Sequence, residues 1–281
     1  MKKILLLVII IYGAIFGQTY EYKKSIGQFT DAASLSINAV GFVYVSDKAT
    51  NMVYKLDTLG TVLTSIGGYG WQNGSFDGPV DIFSNALNVF VTDKNNHRIQ
   101  QFDKDLNYIS QLYKRDSKNP DARFGYPLGC VVSNLGDLYV LDQENKRVVK
   151  YDLAGNFYLK FGGFEDSKYT ITDPRKIGVA KDNRVYVLNG NAIYAYDNFG
   201  NGVKKMEMGF EISNFNTFGD NILLFYGKDL ILGDLITGVT KNLLIHFPER
   251  YDFSKIVSFT MFNSVLYILT TNEIQIYSTA E

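Results

Sequence analysis

Cysteine, histidine and proline are scarce in this chain of 281 residues. The lone cysteine, Cys130, excludes an internal disulfide framework and every site that needs several thiolates. His97 and His246 are the only histidines, too few for a His-rich zinc centre. Excess charge of either sign is missing as well. Lys plus Arg number 28 and Asp plus Glu 29, a net charge of -1. A nucleic-acid binder needs a basic surplus to neutralise phosphates, and there is none. Acidic and basic residues are interspersed, without long runs of one sign. Neither the phosphate-cradling pattern G-x-x-x-x-G-K-[ST] nor the nucleophile elbow G-x-S-x-G occurs. What the chain has instead is 20 Tyr, 20 Phe and 25 Gly against five Pro. With 46 % hydrophobic and 20 % charged residues, this is the composition of a globular protein made of many short strands joined by turns.

The first segment reads as an address. Met1-Lys2-Lys3 is a cationic start, Ile4 to Phe16 is an almost unbroken apolar run, and Gly17 is a small residue before polar sequence begins at Gln18. That order is a secretory signal peptide, here expected over residues 1–17. A retained membrane anchor is the alternative, but a span needs about 20 apolar residues and this run is shorter. No cysteine lies near the cut, so a lipoprotein is not expected. The expected mature chain, 18–281, is secreted or periplasmic, has no membrane span, and is a monomer.

The remainder is repetitive. Phe42–Asp57, Asn88–Asp103, Asp137–Asp152 and Arg184–Asp197 align, each ending in Asp, at 57, 103, 152 and 197. In the first three units another Asp stands ten residues earlier, at 47, 93 and 142; Asn189 takes that place in the fourth. Asn221–Asp234 and Val265–Ser278 are degraded copies. A period near 45 residues is that of a four-stranded propeller blade. Gly60, Gly155 and Gly200 each follow the second Asp by three residues, where a turn needs positive φ and an Asp cap. Pro79, Pro127 and Pro174 introduce short strands, which proline tolerates at their first residue. The expected fold is all-β: a six-bladed β-propeller of four-stranded antiparallel blades at 33–67, 79–113, 127–162, 174–207, 211–245 and 255–277. The last unit has only three strands of its own. The orphan N-terminal segment 20–27 would supply its fourth and close the ring.

The second unit carries the most specific pattern: Pro79-Val80-Asp81-Ile82, a strand ending Thr92-Asp93, Asn96-His97-Arg98-Ile99, then Phe102-Asp103. It resembles the NHL repeat of six-bladed propellers in the TolB-like superfamily, here of a bacterial secreted or periplasmic type. The glycine-rich stretch Gly67 to Pro79 and Phe124-Gly125-Tyr126-Pro127 resemble that family's inter-blade connections. Asp81 departs from it, standing where Gly is usual; Gly129 keeps the Gly in the third unit. The resemblance implies a fold and leaves the activity open. Propeller lyases of this shape bind zinc through several His, a set two His cannot reproduce. Lactonases of this shape hold calcium in the channel with carboxylates and Asn, so calcium is the cation such a channel would take, although no linear motif supports it. Some intracellular relatives bind RNA, which the signal peptide and the net charge disfavour.

No catalytic set emerges from the residues. His97 sits within the repeat's own turn, and His246 is the one histidine placed to act in catalysis. Ser75 and Ser213 are nominal nucleophiles without a base and an orienter. Cys130 lies in an apolar strand, as a small core residue does. Asp103-Lys104-Asp105-Leu106-Asn107 alternates oxygen ligands but lacks the Gly and distal Glu of a calcium loop. The long inter-blade connections, in contrast, carry large residues that should project from one face: Tyr69, Trp71, Phe76, Arg115, Arg123, Phe124, Tyr126, Tyr169, Arg250 and Tyr251. Aromatics with Arg suit a binding surface. Asp81, Arg175, Lys176, Glu211 and Lys255 should ring the channel mouth, where they either orient a polar ligand or neutralise one another. The expectation is a metal-free binding or scaffold module for an envelope protein, peptide or glycan. The alternative is a calcium-dependent propeller hydrolase or lyase with its active site in the channel.

Overall fold

A computed structural model describes residues 19–166 and 168–279; the expected signal peptide, 1–17, lies outside the described residues. The described residues form strands and two short 3-10 turns, Pro120–Ala122 and Phe253–Lys255. Among the described residues no helix is long and apolar enough to cross a membrane.

Strand β1 (Thr19–Ile26) comes first. Four discrete antiparallel blades follow. They are β2 (Ala32–Ile37), β3 (Val43–Asp47), β4 (Met52–Leu56) and β5 (Val62–Gly67); β6 (Pro79–Ser84), β7 (Asn88–Asp93), β8 (Arg98–Asp103) and β9 (Tyr108–Tyr113); β10 (Gly129–Val132), β11 (Leu138–Asp142), β12 (Arg147–Tyr151) and β13 (Phe157–Phe161); and β14 (Pro174–Val179), β15 (Val185–Asn189), β16 (Ala192–Tyr196) and β17 (Gly202–Glu207). The chain ends with β18 (Asn214–Phe218), β19 (Asn221–Tyr226), β20 (Asp229–Asp234), β21 (Thr240–His246), β22 (Ile256–Phe262), β23 (Val265–Thr270) and β24 (Ile274–Thr279).

These last seven strands and β1 form one eight-stranded sheet, in the order β18-β19-β20-β21-β1-β24-β23-β22. The expected six separate blades are corrected here: four are discrete, and the remaining strands are one continuous sheet. The cause is that β1 has two partners. It runs antiparallel to β24 from Tyr20 opposite Thr279 to Ile26 opposite Ile274, with an irregularity between Tyr22 and Lys24. Its first residues also pair in parallel with β21, Thr19 to Leu244, Tyr20 to Ile245 and Glu21 to His246. The pairing satisfies an edge that would otherwise stay open. The inner strands β2, β6, β10 and β14 and the two end strands of the large sheet, β18 and β22, neighbour one another in a closed ring.

Burial follows position in this ring. Strands β3, β11, β12, β15 and β16 are buried at every residue. Each lies between neighbouring sheets on both faces, which is why the sequence there shows apolar runs rather than alternation. The last strand of a blade has one edge in solvent, and β5 is correspondingly exposed. The core lies between sheets: Tyr139, Leu141 and Val148 pack with Ile177, Val187 and Tyr196, for instance. Cys130 is fully buried in such a cluster, and burial pushes its thiol far above the ordinary range.

Candidate functional site

The recurring Asp pairs build the scaffold on which any site must rest. Asp93, at the end of β7, is fully buried. It accepts from Asp77 N–H at 2.7 Å, Asn96 Nδ2 at 2.9 Å and Arg98 Nε at 2.8 Å. Burial pushes the Asp93 carboxyl up, and these donors pull it back. The Arg98 guanidinium also donates to the carbonyls of Trp71 at 2.7 Å, Gln72 at 3.2 Å and Ser75 at 2.9 Å. The Asn-x-Arg of the repeat is thus a clamp on the glycine-rich connection. Asp142 and Arg147 repeat it, with Arg147 reaching the carbonyls of Pro120 and Arg123. Asp47 has no Arg and binds four backbone N–H groups, of Thr30, Asp31, Ala49 and Thr50. The second Asp of each unit caps a turn. Asp103 accepts from Asp105 N–H, Asn107 N–H and Asn107 Nδ2, and Asp105 is paired with Lys55 and Lys104. The oxygens that resembled a calcium loop are therefore engaged by donors. Among the described residues no three His, Cys, Asp or Glu side chains gather as a metal-holding group.

Strands alternate in direction within each blade, so the second-to-third-strand turns emerge on the same side as the inter-blade connections. On this face Tyr69 is 77 % and Trp71 49 % exposed. Trp71 lies edge-on to Tyr113 at 5.6 Å and covers the Arg98 guanidinium at 4.7 Å. A second group spans two blades. Arg115 forks onto Glu144 at 3.0 and 3.3 Å, and both Arg115 Nη1 and the Tyr126 N–H meet His97 Nδ1, at 3.1 and 3.0 Å. Nδ1 therefore accepts, and the neutral imidazole carries its proton on Nε2. Burial and then the Arg115 charge hold the His97 pKa below its ordinary value. The Tyr126 ring packs on His97 at 4.2 Å and remains 42 % exposed.

Three of the residues expected on this face are elsewhere. Phe76 and Phe124 are buried. The glycine-rich loop folds back, Phe76 N–H donating to the Gly68 carbonyl, and turns the Phe76 ring into the core against Phe102. Phe124 packs on Tyr151 in the same manner. Tyr169 leans on Tyr194 and Tyr196 as part of the core, its carbonyl accepting from the Tyr196 hydroxyl at 2.6 Å. Arg123 is exposed, tied by Nε to the Ser117 carbonyl at 2.7 Å.

The channel residues mostly engage one another or the backbone. Asp81 on β6 is buried, and its Oδ1 accepts from Ser34 Oγ of β2 at 2.7 Å and Lys176 Nζ of β14 at 2.6 Å. The bridge passes over Gly129, where an added Cβ would lie 2.6 Å from Asp81 Oδ2. Asp81 in place of the repeat's Gly and Gly129 in the next inner strand are thus complementary. Arg175 donates to the Ile212 and Ser213 carbonyls, both at 3.1 Å. Glu211 and Lys255 are exposed.

An open concavity lies where β20 and β21 meet the connection that leads to β22. It is a cleft of about 570 Å³ lined by Lys228, Asp229, Ile245, His246, Phe247, Pro248, Arg250, Tyr251 and Phe253. It brings together His246, at the end of β21, with Arg250 and Tyr251 of the last long connection. Lys228 and Asp229 went unnoticed in the sequence because they belong to a degraded repeat unit without motif residues.

Comparison with known proteins fits this architecture. Residues 76–102 match the family model of the NHL repeat. These are the residues from Phe76 through the Asp93–Arg98 clamp to Phe102. The Drosophila melanogaster "Protein brain tumor" is 31 % identical over 144 residues, which is 50 % of this chain and 13 % of that protein. The chain thus spans only a small part of that relative's length. Among solved structures, a virginiamycin B lyase from Staphylococcus aureus superimposes with a TM-score of 0.63 at 12 % identity, covering 92 % of this chain and 99 % of the lyase. A chain of a nidogen/laminin complex superimposes with a TM-score of 0.60 at 15 % identity, covering 76 % and 80 %. At these identities the likeness is one of fold. Together the matches support an NHL-type propeller.

Proposed function

We propose that this chain is a binding module of the cell envelope, secreted or periplasmic, that holds a protein, peptide or glycan through its inter-blade face. The observation that carries the reading is the arrangement of that face. Two solvent-exposed rings, Trp71 and Tyr126, are fixed on buried or paired cations, Arg98 and Arg115, and exposed Tyr69 lies on the same connection as Trp71. Aromatic groups held rigid lose little entropy when a ligand covers them, which is how such surfaces gain affinity. In the channel the buried carboxylate, Asp81, is already engaged by Ser34 and Lys176.

The test is binding to glycan and peptide arrays, with the parent and with a Tyr69→Ser, Trp71→Ser, Tyr126→Asn variant. Specific binding by the parent, lost by a variant of unchanged melting temperature, is expected. Calcium-dependent stabilisation together with lactone or ester hydrolysis would replace this reading with the enzymatic one.

A further inference from the structure

We infer that the cleft between β21 and the Phe253–Lys255 turn is a site for an acidic saccharide, a sugar ring bearing a carboxylate. The inference rests on the binding-module reading and names the ligand class of one part of the same face.

The charge points to an anion. The cations of the clamps and the channel, Arg98, Arg115, Arg147, Lys55, Lys150 and Lys176, all sit on carboxylates. In the cleft, Lys228 and Arg250 are exposed and have no ion-pair or hydrogen-bond partner among the described residues, nor has His246. Asp229 is the one acid of the lining. Nearby, Glu21 lies opposite His246 in the β1–β21 register but is paired with Lys23, and Asp252 is taken by Ser254. With Lys228 and Arg250 against Asp229, the lining therefore carries a net positive charge.

The floor points to a ring. Phe247, Tyr251 and Phe253 touch one another, with centroids 4.6, 5.0 and 4.8 Å apart, and all three are only half-buried. Phe247 also leans on Tyr277 at 5.6 Å, and the Tyr251 hydroxyl donates to Gln275 at 2.7 Å. The platform is thus anchored to β24 and ready before a ligand arrives. The apolar face of a sugar stacks on such rings while Lys228 and Arg250 take its carboxylate, Arg in a forked geometry. At about 570 Å³ the cleft has the volume of small-ligand sites, roughly 300–1,000 Å³.

The backbone argues against an extended peptide. A peptide would add as a strand to a free edge. Here β21 has none at the cleft, because Thr19–Glu21 of β1 already pair with Leu244–His246.

The experiment is calorimetric titration of the described chain with an oligomer of galacturonic acid, the neutral galactose oligomer of the same length, and an oligo-aspartate peptide. The parent should bind the uronate, more weakly as salt is added, and ignore the other two. Arg250→Gln and Lys228→Gln should each weaken binding roughly tenfold, the loss of one charge-assisted contact, with no change in melting. Equal binding of the neutral oligomer, unchanged affinity in Arg250→Gln, or no uronate binding at millimolar concentration would each overturn the assignment. A preference for the peptide would do so too. If ligands from the arrays still bind and depend on Trp71 but not on Arg250, this site fails while the binding-module reading stands. If nothing binds either surface, both fail.

Discussion

Removing the guanidinium of Arg98 should nearly unfold this protein. Arg98 and Asp93 are both fully buried, and their contact at 2.8 Å has no solvent to soften its loss. In Arg98→Met the aliphatic stem is kept, so packing changes little. The Asp93 carboxylate keeps Asn96 and the Asp77 N–H but loses its counter-charge. Leaving a buried charge unpaired costs about 3–5 kcal/mol. The carbonyls of Trp71 and Gln72 also lose their donor, whereas that of Ser75 keeps Gln100 at 2.7 Å. Each orphaned carbonyl adds roughly 1 kcal/mol. The sum, about 5–7 kcal/mol, approaches the whole stability of an ordinary domain, about 5–15 kcal/mol. Arg147 offers an internal control. Its contacts with Asp142 and the Pro120 carbonyl are longer, at 3.3 Å, and only that to Arg123 is short, so Arg147→Met should cost less. Urea unfolding of both variants, with the slope held fixed, gives the two numbers. An Arg98→Met variant within about 1 kcal/mol of the parent, or one less damaged than Arg147→Met, would refute the clamp argument.

Three further outcomes follow from the same geometry. Lys176→Met should destabilise by about 3 kcal/mol by stranding Asp81 in the channel, and adding Asp81→Gly should restore most of the loss; equal costs in the single and double variants of a denaturation cycle would contradict the bridge. Deleting 19–26 removes the buried Tyr20 and Ile26, about 1.5–3 kcal/mol each, and opens the edges of β21 and β24, so melting should fall by more than about 10 °C in a scan; a loss of a degree or two would mean that β1 is an appendage. Hydrogen bonds from Asn156 and backbone N–H groups hold the Asp152 carboxyl below its ordinary value, and those from Thr61 and neighbours do the same for Asp57. A depressed folded pKa gives stability that is present above the unfolded value and lost as pH falls through the folded one, so stability should drop below about pH 4, and Asp152→Asn should flatten that acid limb in pH-dependent unfolding.

The parts of the fold legible in the sequence are those where backbone geometry dictates residue type. Asp57, Asp103, Asp152 and Asp197 recur because each caps a turn whose N–H groups need an acceptor, and Gly60, Gly155 and Gly200 recur because φ there is 99°, 82° and 83°. Buried strands read as apolar runs for the same kind of reason. The double role of β1 was not legible, since one strand pattern does not reveal that its first residues have a second, parallel partner in β21. Nor was the inward turn of Phe76 and Phe124. Their place in glycine-rich connections suggested exposure, but a loop that folds back on itself can bury one ring among many polar atoms. The contents of the face were partly legible. Tyr69, Trp71, Tyr126, Arg250 and Tyr251 lie on it, while Lys228 and the unpaired state of Arg250 depend on contacts between units that no local motif records.

The central claim is that ligands meet the inter-blade face. Hydrogen–deuterium exchange of the described chain, with and without a glycan or peptide selected on the arrays, tests it most directly. Protection confined to the connections at 68–76 and 115–126 or to 245–253, with the opposite-face turns at 58–60, 104–106 and 153–155 unchanged, is the outcome this account predicts. Protection at those opposite turns, or at the inner strands around Asp81 and Lys176 alone, would contradict it.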